Sequence, residues 1–393
     1  MTKSVSQLLL VLAVVLLSLT ISPASAFEIK IGLATTDQEI IVSSTEESIF
    51  IDLANNQIIS KLDKNKKCKL SKSDGLISIS NTNNNHKIGK FTGPIQLIPI
   101  NKNGLVVLND KFYRGYFTVQ NSYNNKGVTI INNINIEDYL LSVVPSEMPN
   151  GWHKEALKAQ TIAARTYALG FLGRRKNKGY DLEATVEDQV YLGVSSEKPS
   201  TNQAVVETDG EILVDKFNNP IIALFHSSGG GYTDSIENIW DKKDIKPSIH
   251  IQPRPDFDDN SPYFEWERTI SLKSISEKVQ HLEIGEVSEI IPLEKSISNR
   301  IKKFKLIGTR GNKKINGDNF RRLLKLPSAK FNFTKNDGEE IRFIGRGFGH
   351  GLGLSQWGTK ALAENGFSYK HILAHYYPET MLSTIKNLNI KRD

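Results

Sequence analysis

Apolar and polar positions alternate in short runs through the first third of the chain. Ile29-Lys30-Ile31-Gly32-Leu33 and Ile77-Ser78-Ile79-Ser80 are examples. A period of two puts successive side chains on opposite faces of an extended strand. Asn81-Thr82-Asn83-Asn84-Asn85 reads as a turn. Further strand-like runs fall at 112–119, 128–132, 211–214 and 221–225. Between them the period changes. Asn135 reads as an N-cap, with Glu137 and Asp138 in the first turn of a short helix ending at Val144. An alanine-rich helix follows over about 153–172. The stretch from Asp241 to Pro262 is rich in Pro and Asp and predicts a loop, and no fixed-period repeat is present. The pattern predicts an α+β protein: a mixed, β-rich domain over 116–385 with a few helices packed on it, and a small β-rich domain over 27–115.

The N-terminus departs from this pattern. Leu8 to Leu17 is wholly apolar, Lys3 precedes it, and Ala24-Ser25-Ala26 supplies a small-x-small site. Residues 1–26 therefore predict a signal peptide and an exported protein, in the periplasm or cell wall. A membrane is a partner only if that segment stays uncleaved; the run is short of the about 20 apolar residues of a span. The chain has 393 residues, 39% hydrophobic and 24% charged, which is a globular composition with room for two or three cores. Its formal net charge is +7, suited to an anionic surface. The cations are dispersed, as in Lys61-Leu62-Asp63-Lys64, with no aromatic-interleaved basic stripe, so no nucleic-acid partner is expected. The single cysteine, Cys68, excludes an internal disulfide and a cysteine-based metal site.

Candidate chemistry begins at Val143-Val144-Pro145-Ser146-Glu147-Met148-Pro149. Proline fixes its own φ and restricts the residue before it, so Glu147 is expected in a short, braced loop. Lys158 and Arg165 lie seven positions apart on the next helix and share a face, with Ile162 between them. One framed acid and two cations are the local ingredients. An isolated Glu is ordinarily a solvated surface charge, and only the frame raises this one.

Two later stretches add to it. Phe225-His226-Ser227-Ser228-Gly229-Gly230-Gly231 is an apolar strand opening onto a glycine turn. His226 and Ser227 point to opposite faces of a strand, so His226 cannot readily activate Ser227. A hydrogen-bonded structural histidine competes evenly with a site role. The second stretch, Gly345-Arg346-Gly347-Phe348-Gly349-His350-Gly351-Leu352-Gly353-Leu354-Ser355-Gln356-Trp357-Gly358, has glycine at every second position, which clears one side of the backbone for a ligand or another segment. It fits neither a dinucleotide fingerprint nor a phosphate loop. A site wall around His350 is the expectation, with a helix starting near Trp357. His371 and His375 have i, i+4 spacing but lack the Glu of H-E-x-x-H, so a packed or surface pair is expected.

Together the Pro-Ser-Glu-Met-Pro core with its helix, the His226-Ser227 turn and the Gly-His-Gly/Ser-Gln-Trp-Gly stretch resemble the sporulation stage II protein D (SpoIID/LytB) family over roughly 117–381. The resemblance implies a peptidoglycan lytic transglycosylase acting on glycan strands stripped of stem peptides; some members are called amidase enhancers, which makes a cell-wall amidase a candidate partner. It carries the catalytic role to Glu147 and substrate binding to Lys158, Arg165, His226, Ser227, His350 and Gln356. Some members hold zinc through cysteines near the His-Ser turn. Here that region reads Tyr232-Thr233-Asp234-Ser235, so no metal and no cofactor is expected, and activity should survive a chelator.

One carboxylate is chemically sufficient for that reaction. Ordinary glycosidases use two flanking the bond. In a lytic transglycosylase the sugar's own C6 hydroxyl attacks C1, so a single Glu can protonate the leaving oxygen and then accept the hydroxyl proton. Such an acid needs a raised pKa, which a touching cation would oppose. Lys158 and Arg165 are therefore assigned to substrate oxygens or carboxylates. A non-catalytic glycan-binding, amidase-enhancing module and a metal hydrolase built on His226 and His350 are the alternatives. The intact Glu147 weighs against the first, and the missing cysteines against the second.

Overall fold

The structure, a computed structural model, describes residues 27–82, 86–240, 248–335 and 339–388. The expected signal peptide lies outside the described residues, as do parts of the turn at Asn81–Asn85 and of the loop after Asp241. The chain divides into two compact units. The first holds Met1–Asn150, Phe171–Glu211 and Thr384–Asp393; the second holds Gly151–Gly170 and Ile212–Ser383. The fold is α+β, as the alternating pattern predicts.

In the first unit a seven-stranded sheet runs in the order Leu182–Glu183, Glu28–Thr36, Val128–Asn135, Tyr116–Asn121, Ile95–Pro99, Ser48–Asp52, Gln57–Leu62. A six-stranded sheet contains the Ile40–Ser44, Cys68–Ser73 and Leu76–Asn81 strands. Alternation works as the sequence suggests: Ile29 and Ile31 are fully buried while Lys30 between them is exposed. The expected run over 112–119 is split, because the chain turns at Gly115 with φ +76° and a Cβ there would lie 2.1 Å from the Asn133 carbonyl oxygen. The Val128–Asn135 strand is buried almost throughout and carries two asparagines inward. Both are satisfied: Asn132 donates to the Arg114 carbonyl at 2.9 Å and accepts from the Tyr191 hydroxyl at 2.8 Å, and Asn133 donates to Thr118 Oγ1 at 2.7 Å.

The second unit sets the buried helix Lys154–Gly170 against two shorter helices, Gln356–Glu364 and Tyr369–Tyr376. A separate core lies between two three-stranded antiparallel sheets and their helices, around Phe304, Phe320, Phe331 and Phe343. The apolar run at 221–225 forms a strand only at Phe225–His226, which pairs in parallel with Leu354–Ser355. Among the described residues no helix is long and apolar enough to cross a membrane.

Candidate functional site

Glu147 is the last residue of the helix Ile136–Glu147, and not part of a loop as the proline frame suggested. Asn135 caps this helix as expected, accepting from the Glu137 N–H. Pro145 lies inside the last turn. Its missing N–H removes one bond, but Ser146 Oγ donates to the Ser142 carbonyl at 2.7 Å and the Met148 N–H to the Val144 carbonyl at 3.0 Å, so the turn closes. Met148 is extended, as a residue before Pro149 must be, and the helix stops there.

The helix fixes one flanking segment through three of its side chains. Tyr139 donates to Gln189 Oε1 at 3.2 Å, Ser142 Oγ accepts from the N–H groups of Leu192 and Gly193 at 3.1 and 3.0 Å, and Glu147 Oε1 accepts from the Val190 N–H at 2.9 Å. Asp188, at the start of that segment, is anchored by Arg174 and Arg175. Glu147 is thus aimed by a rigid pair of elements. Burial pushes its carboxyl above the ordinary range, against the opposing pull of the Val190 N–H. The segment 188–193 carries no motif, which is why it escaped the sequence reading.

The remaining expected site residues belong to the second unit. Lys158 and Arg165 are both on the long helix but in different settings. Arg165 is fully buried. Lys158 is half-buried, 3.7 Å from Glu155 and 5.7 Å from the Tyr369 ring centre. Gln356 opens the next helix, with its amide 3.5 Å from Gln160 Oε1. Ser227 contributes a carbonyl that accepts from the Trp357 N–H at 3.0 Å.

His226 and His350 meet with ring centres 5.5 Å apart, and Trp240 lies 5.2 Å from His350. Burial, then the neighbouring His350, lowers His226 well below the usual imidazole value. Burial lowers His350 to about 4, outweighing the attraction of Asp318. Both are neutral near pH 7. The His226 Nε2 atom is buried and has no hydrogen-bond partner among the described residues. Gly347, Gly349, Gly351 and Gly353 all have positive φ, and the space their missing side chains leave is filled by the chain itself. A Cβ on Gly349 would stand 3.0 Å from His226 Cβ, and one on Gly351 2.3 Å from the Arg300 guanidinium. The second possibility opened by the alternating glycines, approach of another chain segment, is the one realised at these positions.

Beneath the His-Ser turn lies a buried charge cluster that the sequence did not announce. Asp258 accepts from the N–H groups of Gly230 and Gly231, each at 2.7 Å, and from the Ser228 hydroxyl. Asp256 accepts from the Gly229 N–H at 2.9 Å and the Tyr376 hydroxyl at 2.8 Å, and is raised to about 6 by burial and by Asp258. The fully buried Arg300 donates to the Gly229 and Tyr232 carbonyls at 2.7 and 2.8 Å. Neither the histidines nor this cluster suits a thiolate-held zinc. The sole cysteine is buried in the first unit, the described residues contain no group of three His, Cys, Asp or Glu placed to hold a metal, and both His350 nitrogens are used, Nδ1 by the Leu352 N–H and the other by the Phe225 carbonyl. His371 and His375 have separate partners, Ser368 Oγ at 3.0 Å and the Pro255 carbonyl at 2.8 Å.

The molecule is thus an α+β protein with a braced, partly buried carboxylate at a helix end in one unit and a neutral histidine pair on a glycine-rich seam in the other. Residues 124–214 match the family model described as Stage II sporulation protein, and residues 211–353 match one described as a domain of unknown function (DUF8618). The chain is 33% identical over 262 residues to Stage II sporulation protein D of Bacillus amyloliquefaciens, covering 63% of this chain and 74% of the relative. It is 30% identical over 274 residues to the Bacillus subtilis protein of the same name, covering 64% and 76%. It is also 31% identical over 292 residues to the Bacillus subtilis protein named Amidase enhancer, covering 62% of this chain and 40% of that one. The chain belongs to the stage II sporulation protein D family.

Proposed function

We propose that this protein is an exported cell-wall enzyme that cleaves peptidoglycan glycan strands, stripped of their stem peptides, by lytic transglycosylation. The observation that carries the reading is Glu147: a carboxyl braced by the Val190 N–H at 2.9 Å and raised by burial, the condition a general acid requires. In this reading Glu147 first gives its proton to the glycosidic oxygen. It then accepts the proton of the C6 hydroxyl as that oxygen bonds to C1, closing an anhydro sugar. No water is consumed, so one carboxylate suffices. Lys158, Arg165, His226, Ser227, His350 and Gln356 bind the strand, with the histidines as neutral polar groups. No cofactor is needed, and the protein works in the periplasm or cell wall.

The likeness to a protein named Amidase enhancer supports a second reading, a module that binds glycan without cleaving it and raises the activity of a cell-wall amidase. Mass spectrometry of purified strands after incubation separates the two. Anhydro ends support lytic chemistry, reducing ends mean hydrolysis, and unchanged strands with a stimulated amidase support the second reading.

A further inference from the structure

The second unit carries an open cleft of about 520 Å³ on the sheet that contains Glu340–Gly345. Its polar walls are Lys295, Lys330, Arg346, Glu265, Asn299 and Asn332: three cations against one carboxylate. Each cation has a partner. Lys330 Nζ donates to the Gly230 carbonyl at 2.6 Å, Lys295 Nζ to Asn332 Oδ1 at 3.0 Å, and Arg346 to Glu265 at 2.6 Å. Burial, and then Arg300, lowers Lys330 to about 8, which leaves it mostly charged near pH 7, and an anion beside it would favour the charged form further. The wall bearing Lys295 and Asn299 is also fixed from below: Ser296 and Ser298 on the same turn donate into the buried Asp234, and Arg300 ends it.

Beside the cleft stands an aromatic ledge. Tyr263 and Phe348 pack with ring centres 4.4 Å apart, yet each keeps more than a third of its surface open, 37% and 40%. The Gly347 N–H donates to the Tyr263 carbonyl at 2.8 Å, and the Arg346 guanidinium lies 5.1 Å from the Phe264 ring centre, so ledge and cleft meet at Arg346. Aromatic faces receive the C–H face of a pyranose, and a guanidinium suits a carboxylate.

We propose that this cleft and ledge form a binding site for a carboxylate-bearing glycan, taking the acidic groups that a wall glycan exposes once its stem peptides are removed. The proposal rests on the wall-glycan reading above and adds a site to it. Three cations offset by one carboxylate, with amide side chains between them, match a polymer with one carboxylate per disaccharide better than the dense charge of a phosphodiester chain.

Isothermal titration of the full-length Glu147→Gln protein tests it, since the ligand then survives. The probes are a GlcNAc–MurNAc tetrasaccharide with free lactyl carboxylates, neutral chitotetraose, and a single-stranded DNA oligomer. The acidic sugar should bind about tenfold tighter than chitotetraose. Adding Lys295→Gln and Arg346→Gln should reduce that preference by about fivefold, the remainder belonging to Lys158 and Arg165, and should leave chitotetraose binding and the melting temperature unchanged. Equal binding of the two sugars, a preference left undiminished by the double substitution, or tighter binding of DNA overturns the proposal. Strand cleavage by the unsubstituted protein is scored separately. Cleavage without the preference overturns the cleft alone; the charge-dependent preference without cleavage supports the cleft and overturns the lytic reading.

Discussion

His226 and His350 are held by opposite ends of one residue. The Leu352 carbonyl takes the His226 Nδ1–H at 3.1 Å, and the Leu352 N–H donates to His350 Nδ1 at 3.0 Å. The two tautomers are therefore complementary: the proton is on Nδ1 in His226 and on the other nitrogen in His350, facing the Phe225 carbonyl. Gly351 and Gly353 allow this backbone path, and the Phe225–Leu354 and His226–Ser355 register brings the two segments alongside. The pair is built to stay neutral, so it is not suited to giving a proton near pH 7.

That arrangement makes stability depend on pH. The folded-state values of both histidines are depressed, His350 to about 4, whereas an unfolded histidine titrates near 6.5. The unfolded chain therefore binds more protons, and stability is lost as pH falls from about 6.5 toward 4. For His350 the loss is at most on the order of 3 kcal/mol. Asp256 works in the opposite sense: its raised value means stability lost as pH rises from about 4 through 6. Comparing the protein with His350→Asn cancels Asp256. The variant's melting temperature should fall less steeply between pH 7 and 5; parallel curves would remove the histidine from this account.

Glu147→Gln should reduce strand cleavage by about 10²–10⁴-fold or more. The amide oxygen can still accept from Val190, so folding should be intact. Because burial raises the carboxyl, its ionised form is disfavoured in the folded protein, and the variant should melt at or above the parent temperature at pH 7. The same shift sets the activity profile: turnover should decline as pH rises through a value above that of an ordinary glutamate. Counting anhydro ends against pH measures both. A variant cleaving near the parent rate would take Glu147 out of the mechanism.

What the sequence disclosed follows from how local each signal is. The alanine-rich helix is where its composition put it, Lys154–Gly170, because small residues with a helical period state their conformation within a few turns. The end of the preceding helix was misread, since whether Pro145 breaks a helix depends on whether a neighbour such as Ser146 closes the last turn. The clamp on Gln189–Gly193 and the Asp234–Asp256–Asp258–Arg300 cluster were invisible, because their partners are tens of residues apart and no single side chain differs from a surface charge until the chain folds. Alternating glycines signalled close approach correctly but could not say by what.

Gly349 shows the consequence. Its φ is +106° and a Cβ would press on His226 at 3.0 Å, so Gly349→Val meets backbone strain and a steric clash together. The expected loss is about 1–3 kcal/mol, a fall of several degrees in melting temperature. Glycan affinity per folded molecule, measured below the transition, separates this seam from a wall of the binding site. An unchanged melting temperature with lost binding would restore the wall.

Arg300→Met is the sharpest test of the buried cluster. The guanidinium is fully buried, donates to Gly229, Tyr232 and Ser298, and is favoured electrostatically by Asp234, Asp256 and Asp258. Methionine fills much of the volume but leaves two turn carbonyls unpaired and the carboxylates short of a counter-charge. Breaking a buried pair from one side costs about 3–5 kcal/mol, far more than a surface substitution. The damage should centre on the turn Gly229–Tyr232, which Arg300 ties down. Hydrogen exchange should therefore quicken first at the Gly230 and Gly231 amides, which donate to Asp258, while the Val190 amide in the first unit keeps its protection. Lowering the pH to about 5 should narrow the stability gap to the parent, because protonating Asp256 removes a charge that Arg300 no longer offsets while both forms share the histidine loss. A variant as stable as the parent, or one whose loss does not depend on pH in this direction, would show that the cluster is held by its hydrogen bonds to backbone and hydroxyl groups and not by the buried cation.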